Sequence, residues 1–152
     1  MRVKVSVTRK SRIPKVIKQL NAARTKILYG QAGYLRKVAR SSIKSASRSK
    51  KKRGVSSQPG STPLNHRGGA GIRRTISFQV DRLRGFAVVG FERGRNPGIP
   101  KALERGGTTR AVSFRKVRTQ RIAARPVMKP GLKRSIQKFR QIARDEFRKC
   151  FR

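Results

Sequence analysis

The chain has 152 residues, 42 of them Lys or Arg against five Asp or Glu, with one His and one Cys, and a formal charge of +37. Five scattered carboxylates (Asp81, Glu92, Glu104, Asp145, Glu146) argue against paired-carboxylate hydrolases and oxygen-ligated metal centres. A lone His66 and a lone Cys150 cannot make a disulfide or a structural zinc site, so no cofactor or metal is expected.

Met1 to Thr8 alternates Val3, Val5 and Val7 with Arg2, Lys4 and Ser6, the period of a strand with one buried face. From Pro14 to Ser47, Ile13, Val16, Ile17, Leu20, Ala23, Ile27, Tyr34, Leu35, Val38, Ile43 and Ala46 recur at helical spacing. They predict one long amphipathic helix with Gly30 and Gly33 as weak points. Its polar face is Lys, Arg, Gln and Ser without compensating Glu, so packing or a partner must hold it. Residues 48–71 are dense in Gly, Pro, Ser and charge and read as a long basic loop. Thr75 to Asp81 and Phe86 to Glu92 alternate as two strands, joined through Arg82 to Gly85 as an antiparallel hairpin. Ala102 to Gly107 predicts a single helical turn stopped by Gly106 and Gly107, and Arg110 to Ile122 a further strand. Pro130 opens a closing helix with Leu132, Ile136, Phe139, Ile142, Ala143, Phe147 and Phe151 on one face. The sum is a single α+β domain over residues 1–152: a long N-terminal helix, an antiparallel sheet of three or four strands with a long basic loop, and a C-terminal helix.

At this charge, self-repulsion opposes an isolated compact monomer, and an anionic partner or an assembly is expected to complete it. No stretch reaches the roughly 20 apolar residues of a membrane span, and MRVKVSV has no apolar core of signal-peptide length. No membrane contact is expected. Arg48, Lys50, Lys51, Lys52 and Arg53 form a run that attracts any polyanion, nucleic acid or acidic protein. A targeting role for it is discounted, since basic clusters arise by chance in such a composition. Gly68, Gly69 and Gly71 read as a hinge rather than a phosphate cradle, because no Gly-Lys-Ser/Thr follows. His66 near Ser61 and Thr62 has no acid close in sequence, and it reads as polar loop content. Cys150 reads as a small apolar filler, Phe78, Phe86, Phe91 and Phe114 as core, and Tyr29 and Tyr34 as helix packing. Glu104, in KALERGG, stands in a field of Arg. It either takes an Arg of the same or a neighbouring subunit or makes an exposed pair worth about 0 to 1 kcal/mol.

In order, the long basic helix, QPGSTPLNHRGGAGIRRTISFQVD, FAVVGF with IPKALERGG, and ARPVMKPGLKRSI resemble the neck and tail-completion (head-tail joining, minor tail) proteins of tailed bacteriophages. Pro59, Gly60, Pro63 and His66 match that family's loop, and Arg73, Arg74 and Ile76 its following strand. Glu104, Gly106 and Gly107 match its acid-Gly segment, and Arg125, Pro126 and Met128 its last motif. The likeness spans roughly Gln58 to Ile136, with Ile72 where Leu is commoner and Val127 where Phe is usual. The resemblance implies a non-enzymatic virion protein at the neck, assembled in the host cytoplasm. It would form a closed ring of six or twelve copies between the head connector, on the portal side, and the tail terminator or tail tube. It further implies that the basic loop, or else the first helix, meets DNA or the connector, with Arg48, Lys50, Lys51, Lys52, Arg53, Arg73 and Arg74 as the contacts to double-stranded DNA or an acidic neighbour. Glu104, Gly106, Gly107, Arg125 and Pro126 would then lie at the subunit interface. Composition alone also fits an RNA-binding structural protein of ribosomal type or a DNA-compacting basic protein.

Overall fold

A computed structural model of the chain describes residues 12–47, 57–65, 71–92, 98–113 and 116–150. The predicted strand at Met1 to Thr8, the run Arg48 to Arg53, and His66, Gly68, Gly69 and Phe114 lie outside them. The architecture is α+β, as the pattern predicts. It comprises α1 (Ile13–Ser42), β1 (Ile76–Asp81), β2 (Phe86–Phe91), α2 (Gly98–Arg105), β3 (Gly107–Ser113), β4 (Lys116–Ile122) and α3 (Met128–Cys150).

The first helix carries Pro14 in its opening turn and ends earlier than its apolar spacing predicts. Ser41 and Ser42 turn their hydroxyls back onto the carbonyls of Val38 and Ala39, at 2.9 and 2.8 Å, and Ile43 is extended at φ −82°. Beyond it Ser45 bridges Asn65 in parallel, with Ala46 N–H on Asn65 O and Asn65 N–H on Lys44 O, both at 2.9 Å. Ile43 and Ala46, predicted as helix, are therefore buried on an extended segment.

The predicted single sheet is instead two separate two-stranded antiparallel sheets. β1 pairs β2 in the register Ile76 opposite Phe91 and Asp81 opposite Phe86. The connection bends at Gly85, φ +72°, where Asp81 O accepts Gly85 N–H and Asp81 Oδ1 accepts Arg84 N–H. The segment predicted as one strand, Arg110 to Ile122, is most of a second hairpin, β3 with β4, Gly107 opposite Ile122. Between the two hairpins in sequence stands α2, eight residues where one turn is predicted, which packs on β3.

The helices α1 and α3 pack antiparallel: Cys150 Sγ lies 3.3 Å from Gln19 O, Gln31 donates to Phe139 O, and Gly131 faces Leu35 and Ala39. Their close seam is built from small residues, with Gly30 against Ile142 and buried Ser135 donating to Gly131 O. The predicted apolar face of α3 is consequently shared with solvent, leaving Leu132, Ile136 and Phe147 nearly half exposed. Likewise Ile13, Val16 and Ile17 of α1 are exposed, and so is Phe86, which the alternation places in the core.

Two small clusters form the interior. Ala39, Ile43, Ile76 and Val127 gather Val89, Phe91 and Met128 around them. Ala102, Leu103 and Ile122 gather Ile99, and Ile72 packs on both clusters. Gly33, by contrast, has open space where a Cβ would stand. Gly33→Ala is expected to stabilise the chain by about 0.5 to 1 kcal/mol through helix propensity, measured by urea denaturation.

Candidate functional site

Segments far apart in sequence meet at the start of α3. The Glu104 carboxylate accepts the backbone N–H groups of Val127 (2.8 Å) and Met128 (2.9 Å), capping the first turn of a helix that has no acidic residue there. Arg125 N–H donates to Leu103 O at 2.6 Å, and its Nε to Ser57 O at 3.0 Å. Gly60 N–H donates to Ala124 O at 2.8 Å, and Thr62 Oγ1 to Ser42 O at 2.9 Å. Gly106, at φ +75°, ends α2 by donating to Ala102 O, and Gly107, at φ +127°, turns the chain into β3. The structure thus ties Ser57–Gly60, Leu103–Glu104 and Ala124–Met128 into one hydrogen-bonded knot, with Pro126 inside the last segment and Gly106 beside Ala124. Glu104 serves there as a helix cap, and among the described residues no Arg pairs with it. Beside the knot lies an open hollow of about 600 Å³ lined by Phe91, Lys101, Glu104, Arg105, Pro126, Met128 and Lys129.

A second feature runs along the seam between α1 and the first hairpin. β1 runs antiparallel to α1, because Arg40 meets Ile76, Tyr29 meets Phe78, and Arg24 meets Arg84. At one end, the carbonyl of Ile76 accepts Arg36 Nε at 3.2 Å and Arg40 Nε and Nη2 at 3.1 and 2.7 Å, while Arg40 Nη2 also reaches Arg74 O. Two guanidinium groups are thereby held on one acceptor. Arg36 is further placed over the Phe78 ring, 5.8 Å from its centroid. They border an open cleft of about 320 Å³ lined by Gly33, Arg36, Lys37, Arg40, Ser41 and Arg73, with no carboxylate in its wall. The Arg40 guanidinium is pushed below its ordinary pKa, first by partial burial and then by the neighbouring Arg36, while Glu92 opposes the shift. At the other end, Arg24 Nη2 donates to Arg84 O, and Arg82 stacks on Tyr29, 5.5 Å from the ring centroid.

Of the cations named from sequence, Arg73 lines this cleft. Arg74 is exposed beside it and supplies a backbone carbonyl. Arg48, Lys50, Lys51, Lys52 and Arg53 lie outside the described residues. Sequence reasoning missed Arg36, Lys37 and Arg40 as individuals. The available signal was their spacing of one and four on a helix whose acidic partners are absent. Tyr29, read as helix packing, meets Phe78 edge-on at 6.2 Å but remains 40% exposed, so its ring can carry Arg82.

Comparison of the chain with protein-family models, with curated proteins and with solved structures finds no match. Among the described residues no helix is long and apolar enough to cross a membrane.

Proposed function

We propose that the chain is a structural virion protein of a tailed bacteriophage, one subunit of an oligomeric ring in the neck that joins the head connector to the tail. The observation that carries this reading is the knot at the start of α3. Of the segments that resemble the neck family, Glu104–Gly107 and Arg125–Met128 are joined directly by the Glu104 carboxylate, and Gln58–Pro63 is tied to them through flanking residues, Gly60 N–H on Ala124 O and Arg125 Nε on Ser57 O. Such mutual dependence is what a shared fold would require of short, scattered motifs.

Two further features fit a subunit that is completed by neighbours. Large apolar residues stand exposed on four elements, among them Ile13 and Ile17 of α1, Val88 of β2, Val117 of β4 and Ile136 of α3. The charge of +37 cannot be neutralised within the chain, so a ring of such subunits closes only with anions between or inside the copies. In this reading the basic surfaces lie on DNA in the lumen or on acidic faces of the adjoining rings, and the protein performs no catalysis.

Electron microscopy of nuclease-treated protein tests the proposal. Discrete rings with an axial opening are the expected result. Particles that appear only after RNA or DNA is added would overturn it, in favour of an RNA-binding protein of ribosomal type or a DNA-compacting protein.

A further inference from the structure

We infer that the seam between α1 and β1 is a track for a nucleic-acid backbone, with the cleft of Arg36, Lys37, Arg40 and Arg73 as the seat of a phosphate. The inference deepens the DNA contact of the proposed neck role. Its geometry stands independently of ring formation.

Four observations lead to it. First, the cleft wall contains four cationic side chains, with no carboxylate among the lining residues. Second, the two guanidinium groups are already oriented. Arg36 spends Nε and Arg40 spends Nε and Nη2 on main-chain carbonyls, and among the described residues both Nη atoms of Arg36 and Nη1 of Arg40 have no acceptor, leaving them as donors for an anion's oxygens. Third, holding two like charges on one carbonyl is unfavourable for the isolated chain, and a bound anion relieves that repulsion. Fourth, the cationic row continues: Arg24, Arg82 and Arg84 meet at the opposite end of the seam, fixed by the Arg84 carbonyl and the Tyr29 ring. The helical rise puts Arg24 and Arg40 about 24 Å apart along the axis, a span several consecutive phosphates fill. Of the nearby carboxylates, Asp81 holds the turn and the Arg84 side chain at the far end of the seam, and Glu92 offsets only part of the repulsion acting on Arg40.

An extended polyphosphate suits this arrangement better than an acidic protein surface. Guanidinium forks match phosphate oxygens in pairs, and the row is linear rather than a patch. Contact of this kind reads no bases, so binding should be indifferent to sequence and steep in salt.

The test measures binding of a mixed-sequence DNA duplex by fluorescence anisotropy across a salt series. It compares Lys37→Gln/Arg73→Gln with Lys15→Gln/Lys18→Gln, a control pair of equal charge on the exposed start of α1. Among the described residues none of these four side chains makes a hydrogen bond in the fold, and circular dichroism of both variants checks that they remain folded. The cleft pair is expected to lower the magnitude of the slope of log affinity against log salt by about 1.8, and to weaken binding roughly 10- to 100-fold near 0.1 M salt. The control pair should leave the slope within about a third of that change. Equal losses in both pairs would show diffuse electrostatics and overturn the assignment. So would an unchanged duplex slope accompanied by lost binding of poly-glutamate, which would place an acidic protein in the cleft. Ring formation is scored separately on the same samples, so loss of the phosphate seat and failure of the neck reading give different results.

Discussion

Glu104→Ala is expected to destabilise the chain by about 2 to 3 kcal/mol in urea denaturation. The side chain is half-buried, and its Oε1 is the acceptor for both Val127 and Met128 N–H. Truncation leaves two main-chain donors without their partner beside the Val127 side chain, which is 1% exposed. It also removes a negative charge from the first turn of α3, which has no acid of its own. Glu104→Gln keeps a carbonyl acceptor in the same place and is expected to lose only about 1 kcal/mol. Equal losses for the two variants would show that charge, and not the hydrogen bonds, is what the cap supplies. A loss below about 0.5 kcal/mol for the alanine variant would contradict the cap altogether.

Ile76→Ala is expected to cost about 3 kcal/mol, within the range for emptying a well-packed site. Ile76 is fully buried where α1, β1 and the segment entering α3 meet, against Ala39, Ile43 and Val127. Many of the other buried apolar residues are Ala, so few large side chains share the work of holding the interior. The same residue offers the carbonyl on which Arg36 and Arg40 converge. A backbone shift at Ile76 should therefore loosen both guanidinium groups, and duplex binding should fall together with stability. Ile76→Val, which keeps the β-branch, is expected to lose about 1 kcal/mol and to retain the cleft. Unfolding midpoints of the two variants, read beside their duplex affinities, check both parts. Normal stability for Ile76→Ala would contradict the position given to this residue in the core.

The two long helices, α1 and α3, and the first hairpin were legible because each has one face that packs. Ala23, Ile27 and Ala39 recur on the buried side of α1, and Gly85 marks the turn between β1 and β2. The second hairpin was not, because β4 shows no alternation of buried and exposed positions before Ile122. Thr119, Gln120 and Arg121 are consecutive and all exposed, so no alternation survives to mark strand or turn. The end of α1 was missed for a different reason: Ile43 and Ala46 are buried, as the spacing requires, but against Asn65 and the core in extended backbone. Apolar spacing on α3 overstated its contact, because Gly131 and Ser135 let the helices approach closely and turn Leu132 and Ile136 outward.

The same distinction holds at the sites. Glu104 stood out in sequence as one acid among many bases, yet its partners lie more than twenty residues away on the main chain, which no local pattern encodes. Arg36 and Arg40 looked like two members of a solvated stripe. Their role comes from a β1 carbonyl that only the tertiary fold brings beneath them. Arg73 was named from its place before a strand, and the fold puts it in the same cleft as those two.

The central claim, that the chain is a subunit of a closed ring, is tested most directly by native mass spectrometry of the purified, nuclease-treated protein at low and high ionic strength. A single discrete oligomer of six or twelve copies, free of nucleic acid and present at both salts, is the expected result. A monomer that enters large, polydisperse particles only when RNA or DNA is restored would contradict it.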